Sequence, residues 1–304
     1  MDAVIEARAV TKQWGAVTAL DDVTVDVPGG VTGLLGANGA GKTTLLGLVL
    51  GFHRPDTGEL RVLGQDPASA GPQVRARVGY APEHDALPPE ARAQELVRHV
   101  AELHGIPQGM AVVRASEALD LVGLGEERLR PIGTMSTGQR QRVKIAQAIA
   151  HDPRLLLLDE PTNGLDPMQR DDMLALIRRI GTELGIHVVV SSHLLAEVER
   201  VCDGVVVLED GRLAGSGGIR DLADDPRGPH IVEIDGPSEH LHGLVVAAGL
   251  VARILGPYAI AVELGSDDFD RFRDLIADAG LPLRRFEPIR TSLEERFFET
   301  GVQP

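Results

Sequence analysis

Two rhythms of apolar residues run along this chain. Short contiguous or alternating runs predict strands, and stretches with apolar positions three and four residues apart predict helices. Val4–Ala9 and Val23–Val27, rich in β-branched residues, predict strands; Val31–Leu35 predicts a short buried strand leading into a helix over Thr44–Phe52. Glu59–Leu63, closed by Gly64, and Val78–Tyr80 predict two more strands. From Pro88 to about Leu124 the spacing turns helical: Leu96, Val97, Val100 and Leu103, then Ala118, Leu119, Val122 and Leu124, with Gly105-Ile106-Pro107 breaking the stretch in two. Ser136 and Gln139 form a capping box that opens a helix running to about Ala150. Arg154–Leu158 is a continuous apolar run of the kind that suits a central parallel strand buried on both faces. A helix over about Met168–Leu184, a buried strand His187–Ser191, a helix through Leu195, Val198 and Val201, and a hairpin turning at Asp210-Gly211 complete this part.

The run Asp224–Pro229 is the clearest linker, and after it the pattern restarts. Strand Ile231–Ile234, helix Ser238–Ala248, strands Val251–Leu255 and Tyr258–Leu264, helix Asp267–Ala279 and strand Leu283–Phe286 give the order β-α-β-β-α-β of a ferredoxin-like unit. A last helix is expected near Ser292, with its own capping box at Ser292 and Glu295. The expectation is an α/β domain over 1–223, with an N-terminal antiparallel β subdomain and a helical insertion at about 85–150. A linker over 224–229 and a small α+β ferredoxin-like domain over 230–304 follow.

Composition narrows the class. The 304 residues are 43% apolar, enough for a sizeable core, and the net charge of −15 argues against a nucleic-acid partner. Cys202 is the only cysteine, which excludes an internal disulfide and a cysteine metal cluster and suits a small buried residue. No apolar run approaches the roughly 18–20 residues of a membrane span. The acidic start Met1–Glu6 is no signal peptide, so a cytoplasmic location is expected, with any membrane crossing left to another polypeptide.

The chemistry centres on Gly36, Ala37, Asn38, Gly39, Ala40, Gly41, Lys42, Thr43 and Thr44, which fit G-x-x-x-x-G-K-[ST] between a predicted strand and a predicted helix. Such a loop turns successive backbone N–H groups inward as a nest for phosphate oxygens, and the helix N-terminus adds partial positive charge. Lys42 would reach the β- and γ-phosphates and Thr43 would ligate Mg²⁺. Asp159-Glu160 close a buried strand, where ligands bind in open α/β sheets, although such a pair is also a common helix cap. Trp14 lies in the polar, turn-like stretch Thr11–Gly15; a lone Trp is usually core, and an exposed stacking surface is the other reading.

A phosphate loop alone fits kinases, GTPases and motors. Here Ser136-Thr137-Gly138-Gln139 ends twenty residues before Asp159, Asp159-Glu160 precede Asn163-Gly164-Leu165-Asp166, and His193 follows the next strand. In this order and spacing, residues 3–222 resemble the ATP-binding subunits of ABC transporters. The resemblance implies ATP and Mg²⁺ as cofactors, with Trp14 stacking on adenine and Gly36–Thr44 as the Walker A loop. It implies Asp159, Thr43 and Glu83 at the metal, Glu160 as general base, and His193 with Lys42 at the γ-phosphate. Ser136–Gln139 would act as the signature that reaches the other subunit's γ-phosphate, and Asp166 would bridge the two subunits.

The same resemblance implies a homodimer closing on two ATP at the inner face of the cell membrane, driving a separate transmembrane permease. Two positions depart from the usual pattern: Glu83 stands where most members carry Gln, and Thr137 replaces the first glycine of Ser-Gly-Gly-Gln. The first departure, with Thr291–Phe298 near the C-terminus, resembles the drug- and antibiotic-export branch. The alternative is a soluble, non-transport ATPase of the same type acting on a ribosome, DNA or protein. A kinase or GTPase would leave Ser136–Gln139 and His193 unexplained.

Overall fold

The computed structural model describes residues 3–84, 87–219, 229–265 and 268–289. The chain divides into two compact units, Met1–Ile219 and Arg220–Pro304. The predicted helix near Ser292 and residues 224–228 of the predicted linker lie outside the described residues. Pro229, expected to close that linker, is instead the first residue of a strand, paired with Glu263.

In the first unit, β1 (Ala3–Trp14) and β2 (Val17–Pro28) form a long antiparallel hairpin, and β4 (Thr57–Val62) pairs on the other side of β1. Both hairpin strands are longer than their β-branched cores suggested. Polar residues continue the pairing down to Trp14 opposite Val17, so Trp14 belongs to a strand and not to a turn. Inward-facing Val10, Leu20, Val23, Val25 and Val62 join the core over the second sheet.

That second sheet has the order β5-β6-β7-β3-β8-β9. Its strands are β3 (Val31–Leu35), β5 (Val78–Ala81), β6 (Leu155–Asp159), β7 (His187–Ser192), β8 (Gly204–Glu209) and β9 (Arg212–Gly218). The first five are parallel and β9 closes the edge antiparallel. β3 and β6 are buried at every position, as expected of apolar runs sandwiched between layers. Register places Asp159 opposite Ser191 and Leu35 opposite Ser192, so the C-terminal ends of β6, β7 and β3 lie side by side. Helices α1 (Lys42–Val49), α6 (Pro167–Glu183) and α7 (Leu195–Val201) each follow one of those ends.

The short helix α2 (Gly71–Arg75) precedes β5, and between β5 and β6 the helical insertion contains α3 (Ala93–Leu103), α4 (Gln108–Leu121) and α5 (Thr137–Ile149). Small residues let the three pack closely: Ala93, Ala101, Ala111 and Ala115 are fully buried beside Val97 and Leu119. Residues 88–92 lead into α3 without helix. Ser136 caps α5 with both bonds of the predicted box, its Oγ accepting from Gln139 N–H and its own N–H donating to Gln139 Oε1.

The second unit is an antiparallel sheet in the order β11-β12-β10-β13, from β10 (Pro229–Ile234), β11 (Val251–Gly256), β12 (Ala259–Glu263) and β13 (Leu283–Pro288). With helices Ser238–Ala247 and Asp268–Asp278 between them, this is the strand order of the ferredoxin-like unit. Its core holds Val232, Ile234, Leu241, Val245, Ile260, Val262 and Phe272.

Candidate functional site

The loop from Gly36 to Gly41 runs from the end of β3 into α1 and needs glycine where it turns. Gly41 has φ of 102°, and a Cβ there would lie 2.6 Å from the Ala19 carbonyl oxygen. Gly41 is also the N-cap and supplies no side chain to the first turn of α1, whose N–H groups are thus free to face a ligand. Ala37, Asn38, Gly39, Gly41, Lys42, Thr43 and Thr44 line a cavity of about 320 Å³ with Ala19, Glu83, Asp159 and Glu160. Lys42, 6% exposed, folds over its own loop and donates to the Gly36 carbonyl at 2.6 Å and the Ala37 carbonyl at 3.3 Å.

The acidic pair sits at the end of β6. Strand alternation places Asp159 and Glu160 on opposite sides, but the structure brings both to the one cavity. The reason is local. β6 ends at Asp159, and Glu160 takes a left-handed conformation with φ of 48°, which breaks the alternation. Ser191 on β7 fixes the turn: its Oγ donates to Asp159 Oδ1 at 2.6 Å and accepts from Glu160 N–H at 2.9 Å. Asp159 Oδ2 accepts from Thr43 Oγ1 at 3.3 Å. Glu160 points one carboxylate oxygen at Lys42 and the other at His193. Oε1 lies 3.3 Å from Lys42 Nζ, an ion-pair distance outside hydrogen-bond geometry, and Oε2 lies 2.9 Å from His193 Nδ1.

Glu83 reaches the cavity from the segment after β5, and its Oε1 accepts from Asn163 Nδ2 at 3.1 Å. Tyr80 nearby reports on the field: burial first, then Asp159 and Glu83, push its phenol up to about 12. Hard oxygens from Thr43, Asp159 and Glu83 suit Mg²⁺, and the buried Oε1 of Glu160 has no hydrogen bond of its own. With the glycine-lined nest beside them, these residues fit a magnesium-bound nucleoside triphosphate.

Trp14, Ser136–Gln139, Asp166 and His193 are not among the lining residues, and of these His193 touches the lining through Glu160. Trp14 is 44% exposed, with the Lys12 ammonium 4.9 Å from its ring centroid and His53 edge-on at 4.7 Å. Ser136–Gln139 stand beside the Asn163–Asp166 loop: a Cβ on Gly164 would touch Thr137 Cγ2 at 3.6 Å. Thr137 Oγ1 accepts from Arg140 at 3.3 Å, a bond its glycine counterpart could not make. Asp166 caps α6, accepting from Gln169 N–H at 2.9 Å, a role its position after a turn and before Pro167 would have revealed.

Other residues escaped the sequence reading. Ser191 is one; its signal was the strand pairing opposite Asp159. Lys144 on α5 is another: 1% exposed, it donates to the carbonyls of Pro82 and Glu83 at 2.8 and 2.9 Å. Cys202 is buried as expected, and burial pushes its thiol up to about 12, so it is no nucleophile.

A phosphate-binding loop between a parallel strand and a helix, with an acid pair and a histidine on the two neighbouring strand ends, defines a P-loop nucleoside-triphosphate hydrolase. The chain belongs to the ABC transporter family. The family model described as ABC transporter matches residues 20–163. The bacitracin transport ATP-binding protein BcrA of Bacillus licheniformis is 35% identical over 70% of this chain and 69% of that protein. The uncharacterized ABC transporter ATP-binding protein YhcH of Bacillus subtilis is 29% identical over 98% of this chain and 96% of its own length. The dimeric structure of the bacterial ABC transporter cassette MJ0796 superimposes with a TM-score of 0.64 at 26% identity, over 71% of this chain and 99% of that one.

The chain is therefore the subunit of an ABC transporter that binds ATP with Mg²⁺ and hydrolyses it to power transport. Subunits of this family dimerise and work with separate membrane permeases. These relatives favour transport over the ribosome, DNA or protein alternative. Among the described residues no helix is long and apolar enough to cross a membrane.

Proposed function

We propose that two copies of this chain close on two ATP and drive export through a separate permease, at the inner face of the cell membrane. The observation that carries the catalytic reading is Glu160, buried between Lys42 and His193 at the mouth of the phosphate loop.

Each residue has a role in that reading. Loop N–H groups and Lys42 hold the β- and γ-phosphates, and His193 donates to the γ-phosphate, where charge grows during hydrolysis. Thr43, Asp159 and Glu83 would hold Mg²⁺, which when bound would screen the phosphate charge. Glu160 accepts a proton from the attacking water. Trp14, exposed and bracketed by Lys12 and His53, offers a face to adenine. Ser136–Gln139 do not line their own chain's cavity, which suits a signature serving the partner's γ-phosphate, and Asp166, in the neighbouring loop, would serve as a dimer contact.

Export is supported by the likeness to the Nod factor export ATP-binding protein I of Cupriavidus metallidurans, 33% identical over 78% of this chain and 78% of that protein, and by the Glu83 substitution. The test is a crosslinked capture from native membranes of tagged Glu160→Gln chain held with ATP, against a Lys42→Ala control. Enrichment of a multi-spanning protein supports the reading and identifies the permease, and transport into inverted vesicles then gives the direction. Soluble partners alone, from intact membranes, would refute it.

A further inference from the structure

A buried carboxylate outside the cavity ties together the segments that carry Glu160 and His193. Glu197 lies in the first turn of α7, and it is 6% exposed. Its Oε2 accepts from Thr162 Oγ1 at 2.8 Å and from Ser192 Oγ at 3.0 Å. Its Oε1 lies 3.2 Å from Arg170 Nε, an ion-pair distance without hydrogen-bond geometry. Thr162 and Ser192 are themselves buried, at 3% and 1% exposure.

The sequence positions of these partners matter more than their number. Thr162 is two residues after Glu160 and one before Asn163, which binds Glu83. Ser192 ends β7 and immediately precedes His193, and its Oγ also accepts from Leu194 N–H at 3.0 Å, bracing the turn on both sides of the histidine. Arg170 stands one turn into α6, behind the Asp166 cap. One carboxylate thus anchors the loop after Glu160, the segment holding His193 and the start of α6.

A carboxylate suits this junction because it is acceptor-only: it takes two hydroxyl donors on one oxygen and faces a guanidinium with the other. An amide at the same place would either turn its NH₂ against the Arg170 guanidinium or, flipped, give up both hydroxyl donations. A shorter acid would lose reach to one of the two segments.

We infer that Glu197 is a positioning residue for ATP hydrolysis: through Thr162 and Ser192 it sets the separation of Glu160 and His193. This rests on the reading in which those two residues act at the γ-phosphate. Nothing in the geometry brings Glu197 to nucleotide, so its loss acts on turnover and not on binding.

The experiment compares the full-length chain with Glu197→Gln, Thr162→Val, Ser192→Ala and the double variant Thr162→Val/Ser192→Ala. Each is measured for kcat and KM of ATP hydrolysis, for Mg·ATP affinity by calorimetry, and for melting temperature. Glu160→Gln and His193→Ala run alongside to test the underlying reading.

The expected result for Glu197→Gln is a fall in kcat of about tenfold or more, with affinity within twofold of wild type. The double hydroxyl variant should reproduce that loss, and adding Glu197→Gln to it should cost little more, because all three act through one junction. Near wild-type kcat in folded Glu197→Gln and in the double hydroxyl variant would overturn the inference. So would kcat, affinity and melting temperature falling together, which marks a residue that only holds the fold. If Glu160→Gln and His193→Ala both turn over normally, the underlying reading fails, whatever Glu197 does.

Discussion

Glu160 and Lys42 face each other at 3.3 Å, each side chain 7% exposed, with His193 on the far oxygen of the same carboxylate. In the proposed role, a carboxylate held between two groups that would address phosphate is placed to take a proton while they hold the charge that develops. Glu160→Gln keeps the shape and removes the acceptor. Its steady-state turnover is expected to fall about 100-fold or more, while calorimetry still shows ATP bound. Hydrolysis near the wild-type rate would remove Glu160 from the role of base.

Lys42 makes its present bonds to carbonyls of its own loop, bonds that phosphate oxygens would replace. Lys42→Ala is expected to weaken Mg·ATP binding about tenfold or more, or about 1.4 kcal/mol. Unchanged affinity by calorimetry would contradict the cradle.

His151 makes stability depend on pH. Burial, and secondly the His104 ring stacked on it at 3.7 Å, pushes its imidazole from 6.5 down to about 4. The folded chain keeps the ring neutral where the unfolded chain protonates it. The unfolded state then binds more protons, so this contribution is complete above about pH 6.5 and is lost as pH falls toward about 4. Melting temperatures measured across that window should fall less steeply in His151→Gln than in wild type.

Lys144 holds two successive carbonyls, Pro82 and Glu83, at the entrance to the helical insertion. Lys144→Met fills similar space without the donors and takes the ammonium from two half-buried carbonyls. Denaturant unfolding should show a loss of about 1–3 kcal/mol. A variant as stable as wild type would show that the ammonium contributes nothing net.

Ser136 has one duty seen in the structure, the cap of α5, and one proposed for it. As the cap of α5 its replacement by Ala should cost about 1 kcal/mol of stability. As part of a signature acting on the other subunit, the same change should lower turnover while leaving the affinity of the separated chain for ATP intact. Equal losses in binding and turnover would place Ser136 in its own chain's site instead.

Continuous apolar runs such as Leu155–Leu158 suit strands buried on both faces, and they made the parallel sheet readable. The loop Gly36–Thr44 and the acids after Leu158 were readable because phosphate chemistry restricts which residues can serve. Pairing was harder to see. The polar ends of β1 and β2 look like turn in isolation and become strand by bonding to each other, which moved Trp14 from a turn into a strand. Glu160's place in the cavity follows from one left-handed residue, which alternation cannot foresee. Ser191, Lys144 and Glu197 were silent because their meaning lies in what they touch across 31 to 62 residues of chain.

That Ser136–Gln139 take no part in lining their own chain's phosphate cavity has a genetic reading. If each site joins one chain's loop to another chain's signature, a Lys42→Ala chain and a Ser136→Ala chain fail for opposite reasons. In a mixed pair, one site inherits both faults and the other inherits neither. Two inactive proteins combined in one tube, or two inactive alleles in one cell, should therefore complement each other and recover part of the lost activity.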